Sequence, residues 1–442
     1  MKLATALISL AALLSIAASI FEPRAEAEKY WPQWRGPHYT GVAPQGSPPL
    51  IWSEEKNVRW KIEIPGKGSA SPIVWGDLLF IATAIPAEAS KPASNEPAAG
   101  PRRRNIAPTH SQKFVILAIK RKDGSIVWQR TTREALPHEG THPDGTWASN
   151  SPVTDGERVY AHFGSNGLYC YDLQGKLLWE KDLGDMATRN GFGEGSSPAL
   201  HGNFIIVNWD HEGQSFIVAL DKRTGKEIWK ADRDEITSWA TPLIVEHQGK
   251  PQVITNATNR VRSYDLATGK VLWETSGMTV NTIPSPVCAN NMVYVTSGFR
   301  GSALLAIRLD AAQGDLANSN AIVWRYDQDT PYVPSPLLYG DCIYFLKVNS
   351  GILSCFNATT GAENYGRQRL EGINSIYSSP VAARDRVYLT SRDGATLVIK
   401  HGAKFEVLAT NSLADGFDAS AAIVDNEFYL RGRKFLYCLA EK

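Results

Sequence analysis

Downstream of residue 70 the chain alternates short apolar runs with polar turns, and the runs come in sets of four. The set between Ser196 and Trp229 shows the pattern most plainly. It opens at Ser197-Pro198 and continues through Phe204-Ile205-Ile206-Val207 and Phe216 to Leu220, ending at Glu227-Ile228-Trp229. Such runs, rich in β-branched and aromatic residues and bounded by Gly, Asp and Thr, predict strands. Between the third and fourth runs stand Asp221, Thr224 and Gly225. Asp and Thr oxygens bind nearby amides, and Gly supplies the positive φ of a three-residue hairpin loop. One four-stranded sheet cannot bury both faces, so each set predicts like neighbours.

The openers Pro72, Pro152, Pro198, Pro242, Pro286, Pro336 and Pro380 index the copies, most of them about 45 residues apart. That period with four strands per unit predicts β-propeller blades. An eighth unit has only three strands, Ser420 to Val424, Glu427 to Leu430 and Phe435 to Leu439. Asn57 to Ile62 resembles the fourth strand of a blade but follows no other strand. Pairing the two predicts an all-β, eight-bladed propeller of four-stranded antiparallel blades, closed by the N-terminal strand; seven blades is the alternative. A closing aromatic recurs as Trp128, Trp179, Trp229, Trp273 and Trp324, then Tyr365 and Phe405. Most of the 13 Trp are therefore expected as wedges between blades.

Residues 1–27 read as a signal peptide: Lys2, an apolar stretch from Leu3 to Ile20, and Ala25-Glu26-Ala27 as a cleavage pattern, with an uncleaved anchor as the alternative. The expected location is periplasmic or secreted, in the cell envelope. Residues 28–51 form a lead-in and 52–442 the propeller, without a transmembrane segment after signal removal. Ala84 to His110, rich in Pro, Ala and Ser and carrying Arg102-Arg103-Arg104, reads as a flexible insertion in the first blade. A formal charge of +1 argues against a nucleic-acid surface. Cys170, Cys355 and Cys438 share one repeat slot with Ala118, Ala219, Ser263, Ala306 and Val398, so the slot requires a small residue and the five Cys are expected as buried thiols. His138 and His142 stand four apart, but Gly140 and Pro143 oppose the helix that would align them for a metal. Trp31 to Pro37 follows no blade pattern and is expected to pack across one face.

The recurring Leu-x-Ala-x-Asp-x-x-Thr-Gly-Lys-x-x-Trp pattern, as in Val218 to Trp229, resembles the pyrroloquinoline-quinone (PQQ)-like β-propeller repeat. Two branches share it. Quinoprotein alcohol dehydrogenases use PQQ, a Glu-Asn-Asp-held calcium or lanthanide, an Asp base and typically a vicinal disulfide. BamB-like proteins scaffold outer-membrane protein assembly. This chain has no Cys-Cys pair, and although Asp, Glu and Asn stand near the inner strands, the metal and base positions do not carry over to it residue by residue. The resemblance therefore implies a non-catalytic scaffold without a cofactor or metal. Its expected partners are envelope or secreted proteins, met through rim loops or blade edges, and it is expected as a monomer. A PQQ- and calcium-dependent dehydrogenase of reduced type, or a carbohydrate-binding propeller, is the alternative.

In a propeller the first strands line the channel and their incoming loops form one rim. Non-repeating residues there are the candidate ligand contacts: Trp147, Asn150, Glu194, Trp239, Asn281, Tyr332, Tyr377 and Asp418. The repeated serines at these openings are expected to satisfy backbone groups around the axis. No catalytic nucleophile–base pair stands out.

Overall fold

The structure is a computed structural model that describes residues 26–87 and 105–441. The predicted signal up to residue 25 and Arg102 to Arg104 lie outside the described residues.

Eight antiparallel sheets form the eight blades, seven of four strands and one extended by a fifth. Blade 3 is representative: Ala199–His201 is innermost, followed by Phe204–Trp209, Ser215–Asp221 and Glu227–Arg233. Blade 8 joins Ala422–Val424, Glu427–Arg431 and Phe435–Leu439 to the N-terminal strand Val58–Glu63. Trp60 pairs with Cys438 and Ile62 with Leu436, so the predicted closure is present. It covers the edge of Phe435–Leu439 and gives the eighth blade its fourth strand.

The small-residue slot has a physical origin in the register. Ala118, Cys170, Ala219, Ser263, Ala306 and Cys355 stand directly opposite Trp128, Trp179, Trp229, Trp273, Trp324 and Tyr365, and Cys438 opposite Trp60. A large side chain opposite each ring would have no room. In blade 7 the partner of Val398 is Ala409. Phe405 therefore does not hold the closing position; it precedes the fourth strand Val407–Ser412 and packs edge-on against Tyr365.

Each closing Trp reaches into the next blade. Trp179 donates its indole N–H to the Lys222 carbonyl at 3.0 Å, and Trp60, Trp128, Trp229 and Trp324 do the same to Arg121, Leu173, Leu266 and Ala358. The ring lies on the turn glycine of that next blade. Gly225 has φ +69°, and a Cβ there would stand 2.7 Å from the Trp179 ring. Glycine thus meets two demands at once, left-handed backbone and close approach. Trp273 is the exception, bonding Gln252 of its own blade at 3.0 Å. The following blade carries extra residues in place of the tight turn, and Gly314–Asp315 instead pairs parallel with blade 4's outer strand.

In blade 1 the second strand runs on through Pro86 and the third begins at Gln112. Ala84 to Pro86 therefore belong to the sheet and not to the predicted insertion; residues 88–104 lie outside the described residues. All five cysteines are free.

Candidate functional site

The first strands converge on the axis through one hydrogen-bonded circuit. The backbone N–H of Ser71 donates to the Ser151 hydroxyl, Ser151 to Ser197, Ser197 to Thr241, and Thr241 to Ser285. Ser285 then donates to Ser335, Ser335 to Ser379, Ser379 to Ser420, and Ser420 back to Ser71. Each of these bonds is 2.9 Å except that from Ser197 to Thr241, at 3.2 Å. The hydroxyls thus satisfy backbone donors where the chain is most crowded, as expected from the repeat. In blade 7 the member is Ser379, while Ser378 donates to the Thr390 carbonyl. Each hydroxyl oxygen accepts one bond, and among the described residues none donates its own hydrogen to the protein.

All eight hydroxyl residues line an axial cavity of about 270 Å³. Its floor comes from the lead-in, which crosses the face away from the incoming loops. Trp31 pairs with Val74 of blade 1, and Pro32 accepts the Thr154 N–H of blade 2. Arg35, 2% exposed, donates to the carbonyls of Pro336 (2.7 Å), Pro380 (2.9 Å) and Thr40 (3.1 Å). Burial lowers its pKa to about 9. Gly41 (φ +86°) passes so close that a Cβ would stand 2.5 Å from the guanidinium. Trp34, between these anchors, lines the cavity.

Around the mouth stand Glu194, Trp239, Tyr332, Tyr377 and Asp418. Three sequence candidates lie elsewhere. Trp147 donates to the Glu139 carbonyl at 3.1 Å and packs on the core between blades 1 and 2. Asn150 is spent on the Ser196 carbonyl at 2.6 Å, joining blade 2 to blade 3. Asn281 is 3% exposed with φ 58°, held under the rim by its left-handed backbone. None of the three lines the cavity.

The cavity also contains Asp144 and Phe192, which sequence reasoning did not single out, together with Trp34 of the lead-in and His142, weighed there only as a metal partner of His138. Asp144 and Asp418 hold Arg392 between them at 2.8 and 2.5 Å, and its guanidinium lies 4.0 Å over the Tyr377 ring. The Tyr377 hydroxyl donates to Asp144 at 3.0 Å. Burial works against the Asp144 charge, but Arg392 and Tyr377 hold its carboxyl below the usual range. His142 meets Phe192 edge-on with centroids 4.9 Å apart, and its Nδ1 accepts the Asp144 N–H.

Behind the wall, ligand atoms of His138, Glu139 and Glu194 lie within 4.8 Å of one another. His138 and His142 thus go separate ways, as the missing helix predicts. Glu194 accepts from the Ser165 N–H and hydroxyl, both at 2.6 Å, and burial raises its pKa to about 7. Burial raises the Glu139 pKa as well. Of the residues after the second strands, Asp210 is buried against Arg233, and Lys347 pairs with Asp329.

The fold and cavity define an eight-bladed propeller with a blind axial pocket. Comparison with known proteins then gives the family: the profile described as outer membrane protein assembly factor BamB matches residues 42–208 and 213–430, and the chain belongs to that family. A BamB from Francisella salina is 29% identical over 100 residues, which is 23% of this chain and 18% of that relative's length. The crystal structure of BamB from Moraxella catarrhalis is similar with a TM-score of 0.55 at 13% identity, covering 87% of this chain and 99% of the other. A quinohemoprotein alcohol dehydrogenase from Pseudomonas putida HK5 reaches 0.56 at 10% identity, covering 96% of this chain and 81% of its own. At these identities the two structures share the fold.

A calcium–quinone pair fits the cavity poorly. Asp144 is paired with Arg392, Asp418 with both Arg392 and Arg433, and Glu194 is turned to Ser165. The carboxylates a divalent ion would need are therefore already partnered. No cysteine lines the cavity.

Proposed function

We propose that this chain is an exported, non-catalytic scaffold of the cell envelope that holds an extended segment of a partner protein in its axial cavity. The observation that carries the reading is the blind pocket itself: eight hydroxyl donors without acceptors among the described residues at its base, and Trp239, Tyr332 and Tyr377 at its mouth. Peptide carbonyls match the donors, and aromatic walls match apolar side chains. The family's description, assembly of outer membrane proteins, supports a partner of that kind.

The test is a titration of the purified protein with short synthetic peptides copied from outer-membrane β-strands, followed by tryptophan fluorescence. A saturable change that Tyr332→Ala weakens at least tenfold supports the reading. Saturable uptake of pyrroloquinoline quinone with calcium, coupled to dye reduction, would replace it with a dehydrogenase. Binding only on a glycan array would make it a carbohydrate receptor.

A further inference from the structure

The junction between blades 6 and 7 departs from the indole rule, as do those that follow blades 4 and 7. Tyr365 replaces the closing Trp, and His401-Gly402 stands in a turn that has lost the Asp-x-x-Thr-Gly sequence. The indole bond to the next blade is consequently missing. The Tyr365 hydroxyl, in a residue 9% exposed, bonds no backbone carbonyl of the next blade among the described residues and lies against the Cys355 thiol.

Chemistry of another kind gathers at this junction. A carboxylate oxygen of Asp341, the Cys342 sulfur and a ring nitrogen of His401 lie within 4.8 Å of one another. Asp341 and Cys342 sit on the first hairpin of blade 6, and His401 follows the third strand of blade 7, so the group spans two blades. The imidazole is oriented from three sides. Its Nδ1 lies 2.9 Å from the Tyr344 hydroxyl, which accepts the Gly402 N–H at 2.9 Å. Its ring packs on Tyr339 with centroids 4.1 Å apart, and Nε2 faces Gly340, where a Cβ would stand 3.2 Å away. A hydrogen bond at Nδ1 that leaves Nε2 free is the second-shell arrangement of a metal-binding histidine. The Cys342 sulfur is equally supported, 3.5 Å from Asp341 Oδ1 and 3.6 Å from Asn364 Nδ2, with the Cys355 thiol hydrogen-bonded behind it.

We propose that Asp341, Cys342 and His401 bind a thiophilic divalent cation of the Zn²⁺ type, clipping blade 6 to blade 7 where the indole contact is absent. Thiolate, imidazole nitrogen and carboxylate oxygen are three ligands of a tetrahedral site. Water completes the set on the side where Asp341 is exposed. Binding displaces the Cys342 proton, which leaves to solvent.

The experiment uses the full chain, reduced, with Co²⁺ as the spectroscopic probe. The expected result is a thiolate-to-cobalt charge-transfer band that saturates at one equivalent. It should be absent in Cys342→Ser, weakened at least tenfold in His401→Gln and unchanged in Cys170→Ser, and Zn²⁺ should displace it. Circular dichroism checks that each variant is folded. A band that survives Cys342→Ser, or no band at all in the folded wild type, would overturn the site. So would a Cys342–Cys355 disulfide found by peptide mapping of protein isolated without reductant.

Discussion

Asp210 and Arg233 offer the sharpest test of how the wall behind the cavity is held. Both side chains are 0% exposed; Arg233 Nε lies 2.7 Å from one Asp210 oxygen and Nη2 3.1 Å from the other. Asp210 also accepts from Ser238 (2.6 Å) and Asn208 (2.9 Å), and Arg233 donates to Thr255 (2.9 Å) and Tyr264 (2.5 Å). Burial opposes the Arg233 charge, yet Asp210 and Tyr264 hold its pKa above the ordinary arginine value. An exposed pair would contribute about 0–1 kcal/mol. Here burial decides: Asp210→Asn keeps the shape but strands a cation out of water, and the expected loss is about 3–5 kcal/mol. Urea unfolding would show this as a lower midpoint at unchanged slope. Replacing both members, as Asp210→Asn with Arg233→Met, should cost less than the single change, because no uncompensated charge remains. A single-variant loss below about 1 kcal/mol, or a double variant worse than the single, would refute the reasoning.

Further outcomes are expected. Trp60→Ala removes a ring 8% exposed that bonds Arg121 at 2.7 Å, and should cost about 3–5 kcal/mol and open the closing blade to limited proteolysis. Gly225→Ala should cost more than about 1 kcal/mol by urea unfolding, and adding Trp179→Ala should not restore it, since the positive φ persists. Burial raises the Glu194 carboxyl to about 7, whereas the unfolded chain titrates near about 4.3. Between those values the folded state keeps a proton the unfolded state has lost, so stability falls as pH rises through that window and levels off above it. Glu194→Gln should therefore be more stable than wild type at pH 8, the difference shrinking towards pH 4 in thermal melts.

The repeat made the architecture readable, because most blades restate the same turn, small slot and closing aromatic. Phe405 was misplaced because its aromatic character imitates the pattern while the register assigns Ala409, and strand pairing across a bulge is not written in one strand. The serine openers were legible as structural, yet their circuit needs every blade's position at once. Glu194, Trp239, Tyr332, Tyr377 and Asp418 reach the cavity because they sit just ahead of the repeated openers. His142 was weighed only as a metal partner of His138, and Asp144 escaped notice, because the loop from Leu136 to Trp147 has no periodicity to anchor a prediction. The grouping of Cys342 with His401 joins different blades, and local spacing carries no signal of it.

Pairing Val58–Glu63 with Phe435–Leu439 also orders events in the life of the chain. The early strand must wait, without its partner, until the last strand of the propeller has been synthesised. Any intermediate before that moment is an arc with raw margins at both tips, ready to pair with another such arc. A holding factor that shields those margins would then act chiefly on unfinished molecules, and the finished circle would have no further use for it.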